Sequence, residues 1–144
     1  MSSKKVESKL WSLVETRDKE FPVFSLFLRD IPETIEIKKF SHMISIFWSY
    51  PVTDDTGLPS TEIIKAHSDI EKSLKAIDDH IDSLYVAQIT GNGRKEWIWY
   101  TKDIDKWWDR FSKALKDHPK YPLDIETAKE SNWKTYRIIS KNMD

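Results

Sequence analysis

No cysteine occurs in the chain, which excludes disulfides, a thiol nucleophile and every thiolate metal site. Glycine is nearly as scarce, with three residues, two of them in Gly91-Asn92-Gly93. That tripeptide lacks the helix N-terminus and the Gly-Lys-Ser/Thr ending of a phosphate loop, so it reads as a turn. Nothing approaches the ~20 apolar residues of a membrane span. The charged start, Met-Ser-Ser-Lys-Lys-Val-Glu-Ser-Lys, does not read as a signal peptide, and a soluble cytoplasmic protein is expected. An excess of one charge is missing too: 23 Lys plus Arg stand against 24 Asp plus Glu, a net of −1, which gives no global steering toward nucleic acid. The four histidines, at 42, 67, 80 and 118, have no metal-binding spacing, and no Ser, His and acid are grouped as a nucleophilic site requires. The expectation is no enzymatic activity, no cofactor and no metal.

What the chain does have is aromatic surface: seven Trp in 144 residues, a residue type that serves packing or contact. Two strand-like runs, Leu84–Thr90 and Arg94–Tyr100, flank Asn92-Gly93, the strongest short-range hairpin signal. The register pairs Gly91 with Arg94, Thr90 with Lys95, Gln88 with Trp97, Ala87 with Ile98 and Val86 with Trp99. Alternation then places Tyr85, Ala87, Ile89, Ile98 and Tyr100 on one face and Val86, Gln88, Trp97 and Trp99 on the other.

The rest of the chain follows from periodicity. Residues 10–28 predict an N-terminal hairpin turning at Arg17–Glu20. His42–Tyr50 alternates Ile44, Ile46, Trp48 and Tyr50 against Met43, Ser45 and Phe47, a strand. A helix is predicted from Ser60 or Thr61 to about Ile81, with Ile63, Ile70, Leu74, Ile77 and Ile81 in one stripe and His67, a structural residue, at its margin. A second helix spans Asp103–Asp117, stopped by His118-Pro119. Residues 122–127 alternate as a half-solvated edge strand, and Trp133, Tyr136 and Ile139 suit a last helical turn. The βαββαβ order from His42 onward predicts one α+β domain over 1–144. It is a ferredoxin-like sandwich over about 42–127, an antiparallel sheet with two helices on one face, with an added N-terminal β-hairpin and a tail over 128–144. The expected core between sheet and helices is Ile70, Leu74, Ile77, Ile98, Tyr100, Trp108 and Phe111.

Several spacings resemble a known family. Gly57-Leu-Pro59 precedes the first helix, Thr90-Gly91-Asn-Gly93-Arg94-Lys-Glu-Trp97 precedes the second, and Tyr121-Pro122 and Trp133-Lys-Thr-Tyr136 follow it. Together they resemble the bacterial domain-of-unknown-function 695 family, whose pattern has Asp-Pro where this chain has Ser131-Asn132. The family is similar in fold to regulator of ribonuclease activity B, which inhibits an RNA-degrading enzyme by binding it. The resemblance implies the fold and singles out Arg94; it implies no activity.

Two surfaces are candidates for contact. Asp54 and Asp55 with Asp78, Asp79 and Asp82 make an acidic set. The last three crowd the end of the first helix with His80, where the macrodipole disfavours carboxylates. A partner-facing patch, a metal site using the i, i+4 pair Asp78 and Asp82, and an ordinary solvated helix end all fit. Trp97 and Trp99, with Phe47, Arg94 and Lys95, make the second set, on the face away from the helices. There they stack single-stranded RNA bases, contact a protein, or lie under the N-terminal hairpin or the tail. The function expected is a protein-binding domain, an inhibitor or immunity protein that occludes a basic partner such as a nuclease toxin. A single-stranded RNA-binding sheet is the alternative, and an enzyme with a site near Arg94 a further one.

Overall fold

The computed structural model describes residues 5–7, by their backbone alone, and 10–141; the last residues of the expected tail lie outside this set. The protein is α+β. One antiparallel sheet is built from β1 (Lys5–Glu7), β2 (Trp11–Asp18), β3 (Phe21–Leu28), β4 (His42–Ser49), β5 (Ser83–Gly91), β6 (Arg94–Thr101) and β7 (Leu123–Lys129). The strands lie in the order β1-β2-β3-β5-β6-β4-β7. Helices α1 (Thr61–Leu74) and α2 (Ile104–Ala114) link β4 to β5 and β6 to β7, and α3 (Lys134–Lys141) ends the described chain.

The central turn forms because Asn92 and Gly93 accept φ of 49° and 81°, the left-handed pair that a type I′ turn demands. Register follows expectation from Gly91↔Arg94 to Ala87↔Ile98, and there a β-bulge intervenes, so that Tyr85 and not Val86 pairs with Trp99. An inserted residue reverses alternation beyond it. Val86 therefore joins Ala87, Ile98 and Tyr100 in one core, while Tyr85 packs on Trp99 with ring centroids 5.1 Å apart. The assignment of Tyr85 to the Ile98 face is corrected accordingly.

The helices also take the other face from the one expected. Ile70, Leu74, Ile77, Trp107 and Phe111 bury Ile44, Ile46, Trp97 and Trp99. Ile98 and Tyr100 belong to a second core with Phe27, Leu84, Trp133, Tyr136 and Ile139, beneath α3. With apolar residues on both faces, alternation alone does not say which face receives which helices. Phe47 pairs with Glu96 and so lies opposite to Trp97, whose partner on β4 is Ile46. Trp108 is 49% exposed and no core residue. At 100° per residue it falls on the flank of the inward stripe that Trp107 and Phe111 define.

Helix α1 starts as predicted, with Ser60 Oγ accepting the Ile63 N–H, but ends one turn of 3₁₀ helix after Leu74, at Ile77. Ile81, expected on its stripe, is exposed. Asp78 and Asp79 end the helix by offering their carboxylates to backbone N–H groups ahead, the competition that disfavours Asp in helix interiors. The second helix likewise stops short of Asp117.

Residue Trp133 locks α3 to the sheet. Its ring stacks on Tyr100 at 4.2 Å and its indole N–H donates to the Phe40 carbonyl at 2.9 Å. Glu130 accepts from the Tyr100 hydroxyl at 2.7 Å and from the Thr135 N–H at 2.9 Å, and the Tyr136 hydroxyl donates to the Leu28 carbonyl. The late aromatics that carry the family resemblance are thus a docking device.

Candidate functional site

The five expected acidic residues do not form one patch. Asp54 and Asp55 lie in the loop after β4. Its Gly57 carbonyl accepts the Gly93 N–H at 3.1 Å and the Tyr50 hydroxyl at 2.8 Å, which seats the loop beside the hairpin tip. A Cβ on Gly57 would stand 2.7 Å from the Phe21 ring, so this close approach needs glycine. Asp78, Asp79 and Asp82 lie before β5, at the far end of a nine-residue strand, roughly 27 Å away.

Those three carboxylates are held within the fold. Asp79 Oδ1 accepts the N–H groups of Ile81, Asp82 and Ser83, and Oδ2 pairs with Arg110 at 2.6 Å. Burial raises its pKa, but Arg110 and the three N–H groups outweigh burial and hold it well below the carboxylate range. Asp82 pairs with Lys106 at 2.6 Å. Asp78 accepts the Tyr85 N–H at 3.0 Å, and burial raises its pKa. The premise of an unfavourable helix end is corrected: the helix has ended before them, and Asp79 and Asp82 tie the loop to α2. Among the described residues no group of His, Asp and Glu is arranged to hold a metal.

Trp97 and Trp99 are 1% and 2% exposed, beneath α1 and α2 and not beneath the hairpin or tail. Bases cannot stack on them while the helices stay in place. Lys95 points inward with them, 3.2 Å from Glu71, which also accepts the Trp97 indole N–H at 2.8 Å. His67, buried as expected of a structural residue, sits among Trp48, Tyr50 and Trp97 with ring centroids 4.7–6.3 Å away. Its Nε2 has no hydrogen-bond partner among the described residues, and burial followed by the charge of Lys95 lowers its pKa to about 4.

Arg94 projects to the opposite face, and around it the sheet is open. Helix α3 covers the end of that face near Tyr100; toward the hairpin tip no described element does. Two concavities of about 400 and 530 Å³ share Arg94. The first is lined by Thr16, Arg17, Asp18, Ile89 and Glu96, the second by Phe47, Ser49, Asp124 and Glu126. The guanidinium lies 4.3 Å over the Phe47 ring and 3.4 Å from Glu96, itself bonded by Ser45 at 2.9 Å. Asp18 accepts from Asn92 at 2.8 Å. Asp124 and Glu126, on edge strand β7, have no ion-pair partner among the described residues. The result is a concave surface on which four carboxylates outnumber two cations, Arg94 clamped at its centre and Arg17 donating to the Glu20 carbonyl.

A family model described as "Family of unknown function (DUF695)" matches residues 9–138. The chain belongs to that family. No curated protein and no solved structure matches it. In this DUF695 protein the Gly57 and Gly91–Arg94 motifs meet at one end of the sheet, and they build the rim of the open surface.

One juxtaposition has no signal in the sequence. Ser73 Oγ and His118 Nε2 are 2.7 Å apart, and His118 Nδ1 is 3.2 Å from the Tyr121 hydroxyl. Forty-five residues separate the pair, and only the packing of α1 against the end of α2 unites them. Among the described residues no carboxylate orients the histidine as a catalytic triad has it, and the bonds tie α1 to the segment after α2.

Proposed function

We propose that this protein is a non-enzymatic cytoplasmic binding protein that occludes a basic partner protein, as an inhibitor or immunity protein occludes a toxin such as a nuclease, and that the open sheet face around Arg94 is its contact surface. The observation that carries the reading is the pair of carboxylates, Asp124 and Glu126, that have no ion-pair partner among the described residues, beside Asp18 and Glu96 on a concave face that no described element covers. Complementary charge of this kind speeds encounter with a basic surface and selects against acidic ones. The apolar part, Phe47 with Ile89, supplies area that a partner can bury, and Arg94 supplies a planar fork for a partner carboxylate. Resemblance to a fold that includes a ribonuclease inhibitor points the same way. RNA binding on Trp97 and Trp99 lacks support, because both rings are packed beneath helices.

Photo-crosslinking from position 124, with a control position at Glu62 on α1, tests this in the native host. The expected outcome is one stoichiometric protein with a basic surface, crosslinked from 124 and not from 62. Against that purified partner, Asp124→Lys with Glu126→Lys should lower the association rate at least tenfold at low salt, with the effect shrinking as salt rises. Recovery of RNA alone, or an association rate indifferent to the double reversal, overturns the reading.

A further inference from the structure

On the helix side of the sheet, α1 and α2 cover β4, β6 and part of β5 but stop short of the N-terminal hairpin. Between α1 and that hairpin lies a cleft of about 320 Å³ lined by Trp11, Leu26, Leu74, Tyr85, Trp97 and Trp99, with Glu71, Lys75, Asp78 and Gln88 as its polar groups. Trp11 packs against Tyr85 and Tyr85 against Trp99, with centroids 5.4 and 5.1 Å apart and ring planes tilted by 45° and 34°. We propose that this cleft is a binding site for a small organic ammonium ion carrying one aromatic ring, with the ring against the half-buried Trp11 and Tyr85 and the ammonium group at Asp78.

Size, shape and charge each narrow the class. A volume near 300 Å³ is at the small end of ligand sites, enough for one ring and a short chain. Aromatic faces attract cations as well as rings, because the ring quadrupole presents negative charge to whatever lies above it. The polar groups decide the sign. Glu71 is committed to Lys95 and to the Trp97 indole N–H, and Gln88 accepts the Tyr85 hydroxyl at 3.0 Å. Asp78 uses Oδ1 for the Tyr85 N–H and stands 3.4 Å from His80 through the same atom. Its second oxygen has no partner among the described residues. A partly buried carboxylate with one unpaired oxygen beside the Trp11 and Tyr85 rings is under-compensated, and an ammonium ion supplies what it lacks. Lys75 is the opposing charge; it is exposed, and its long stem lets the ammonium swing into water. The site does not depend on the proposed function, since it lies on the other face of the sheet from Arg94.

The test uses 2-phenylethylammonium, with 3-phenylpropionate as the anion of the same ring and benzyl alcohol as a neutral control. Binding is followed by the indole N–H cross-peaks of the isotopically labelled protein. The expected result is saturable binding of the ammonium ion at millimolar concentration or below, with the largest shifts at Trp11 and Trp99. The anion and the alcohol should bind at least tenfold more weakly. Asp78→Asn keeps an oxygen for the Tyr85 N–H and should weaken the ammonium ion at least tenfold while leaving the alcohol unchanged. Leu26→Trp, which fills the cleft from the hairpin side and leaves Asp78 intact, should abolish binding of the ammonium ion. Equal binding of cation, anion and alcohol overturns the proposal, as does an Asp78→Asn protein that binds like the parent, or no saturable shift at tens of millimolar.

Discussion

Each face of the sheet carries a buried core, and the two cores are held by different physics. Beneath α3, the large polar aromatics are satisfied: Tyr100 on Glu130, Trp133 on the Phe40 carbonyl, Tyr136 on the Leu28 carbonyl. Beneath α1 and α2, three buried polar atoms, His67 Nε2, Trp99 Nε1 and Trp107 Nε1, have no hydrogen-bond partner among the described residues, and rings meet rings, as Trp99 and Trp107 do edge to face at 6.0 Å. Hydrogen bonds are directional and costly to leave unmade, so they pin the short helix α3 in one place. Aromatic packing is less directional, and it suits a layer that leaves a cleft open at its margin.

The sharpest way to break this comparison is at the tryptophans. Trp133→Ala removes a fully buried ring and orphans the Phe40 carbonyl, and it should cost about 3–5 kcal/mol, read from the midpoint of urea unfolding. The milder pair separates the mechanisms. Trp133→Phe leaves the Phe40 carbonyl without its indole donor and should cost about 1–3 kcal/mol for that loss alone, whereas Trp99→Phe removes an indole N–H that bonds to none of the described residues. Equal costs for Trp133→Phe and Trp99→Phe would show that the two faces do not differ as described.

Acid distinguishes the faces next. His67 has a folded pKa lowered from 6.5 to about 4, so its contribution is complete above pH 6.5 and is lost as pH falls from there toward 4. Over that window the loss is at most about 3 kcal/mol, because each tenfold difference in proton affinity between the folded and unfolded chain is worth about 1.4 kcal/mol. Glu130, on the other face, is pushed up by burial but lowered on balance by its bonds from Thr135 and Tyr100. Its stabilisation is therefore present above the unfolded carboxylate range and is lost only as pH falls through and below it. Between pH 6.5 and 5 the helix layer carrying His67 weakens while the α3 face does not. His67→Phe should flatten the stability profile over that window, and Glu130→Gln should flatten it only at lower pH.

What is legible in the sequence follows the same division. The Asn92-Gly93 turn, the Ser60 cap, the N-terminal hairpin and the edge character of β7 are local, and local chemistry specifies them. The face that receives α1 and α2 is not legible, because Trp97 and Trp99 are as apolar as Ile98 and Tyr100 and alternation is blind to which side a helix returns on. The bulge at Val86 leaves no mark, since Tyr85 and Val86 both suit a buried strand. Periodicity carries the first helix on to Ile81 because the apolar stripe continues. What ends it, Asp79 gathering three backbone N–H groups and Arg110, depends on a residue thirty-one positions away. The candidate surface is half legible: Arg94 stands out in the family pattern, but its carboxylate neighbours Asp124 and Glu126 come from a strand that reads only as a solvated edge.

The smallest expected effect is the most local, because it compares two adjacent residues that point to opposite faces. Lys95 is 8% exposed and pairs with Glu71 over the Trp97 ring, whereas the Arg94 side chain is 56% exposed over Phe47. Breaking a buried pair by removing one partner costs about 3–5 kcal/mol, but a third of the Glu71 side chain remains in water, which screens the charge left behind and reduces the cost of Lys95→Ala to about 1–2 kcal/mol. Arg94→Ala loses an exposed cation–π contact and an exposed ion pair, together under about 1 kcal/mol. Unfolding midpoints should thus rank Lys95→Ala below Arg94→Ala, and salt should narrow the gap little, because the inner pair is shielded from the ions that screen the outer one. Partner capture should show the reverse order, with Arg94→Ala impaired at near-normal stability. A protein in which Arg94→Ala is the less stable of the two would make Arg94 a structural clamp, and the open face would lose its central contact.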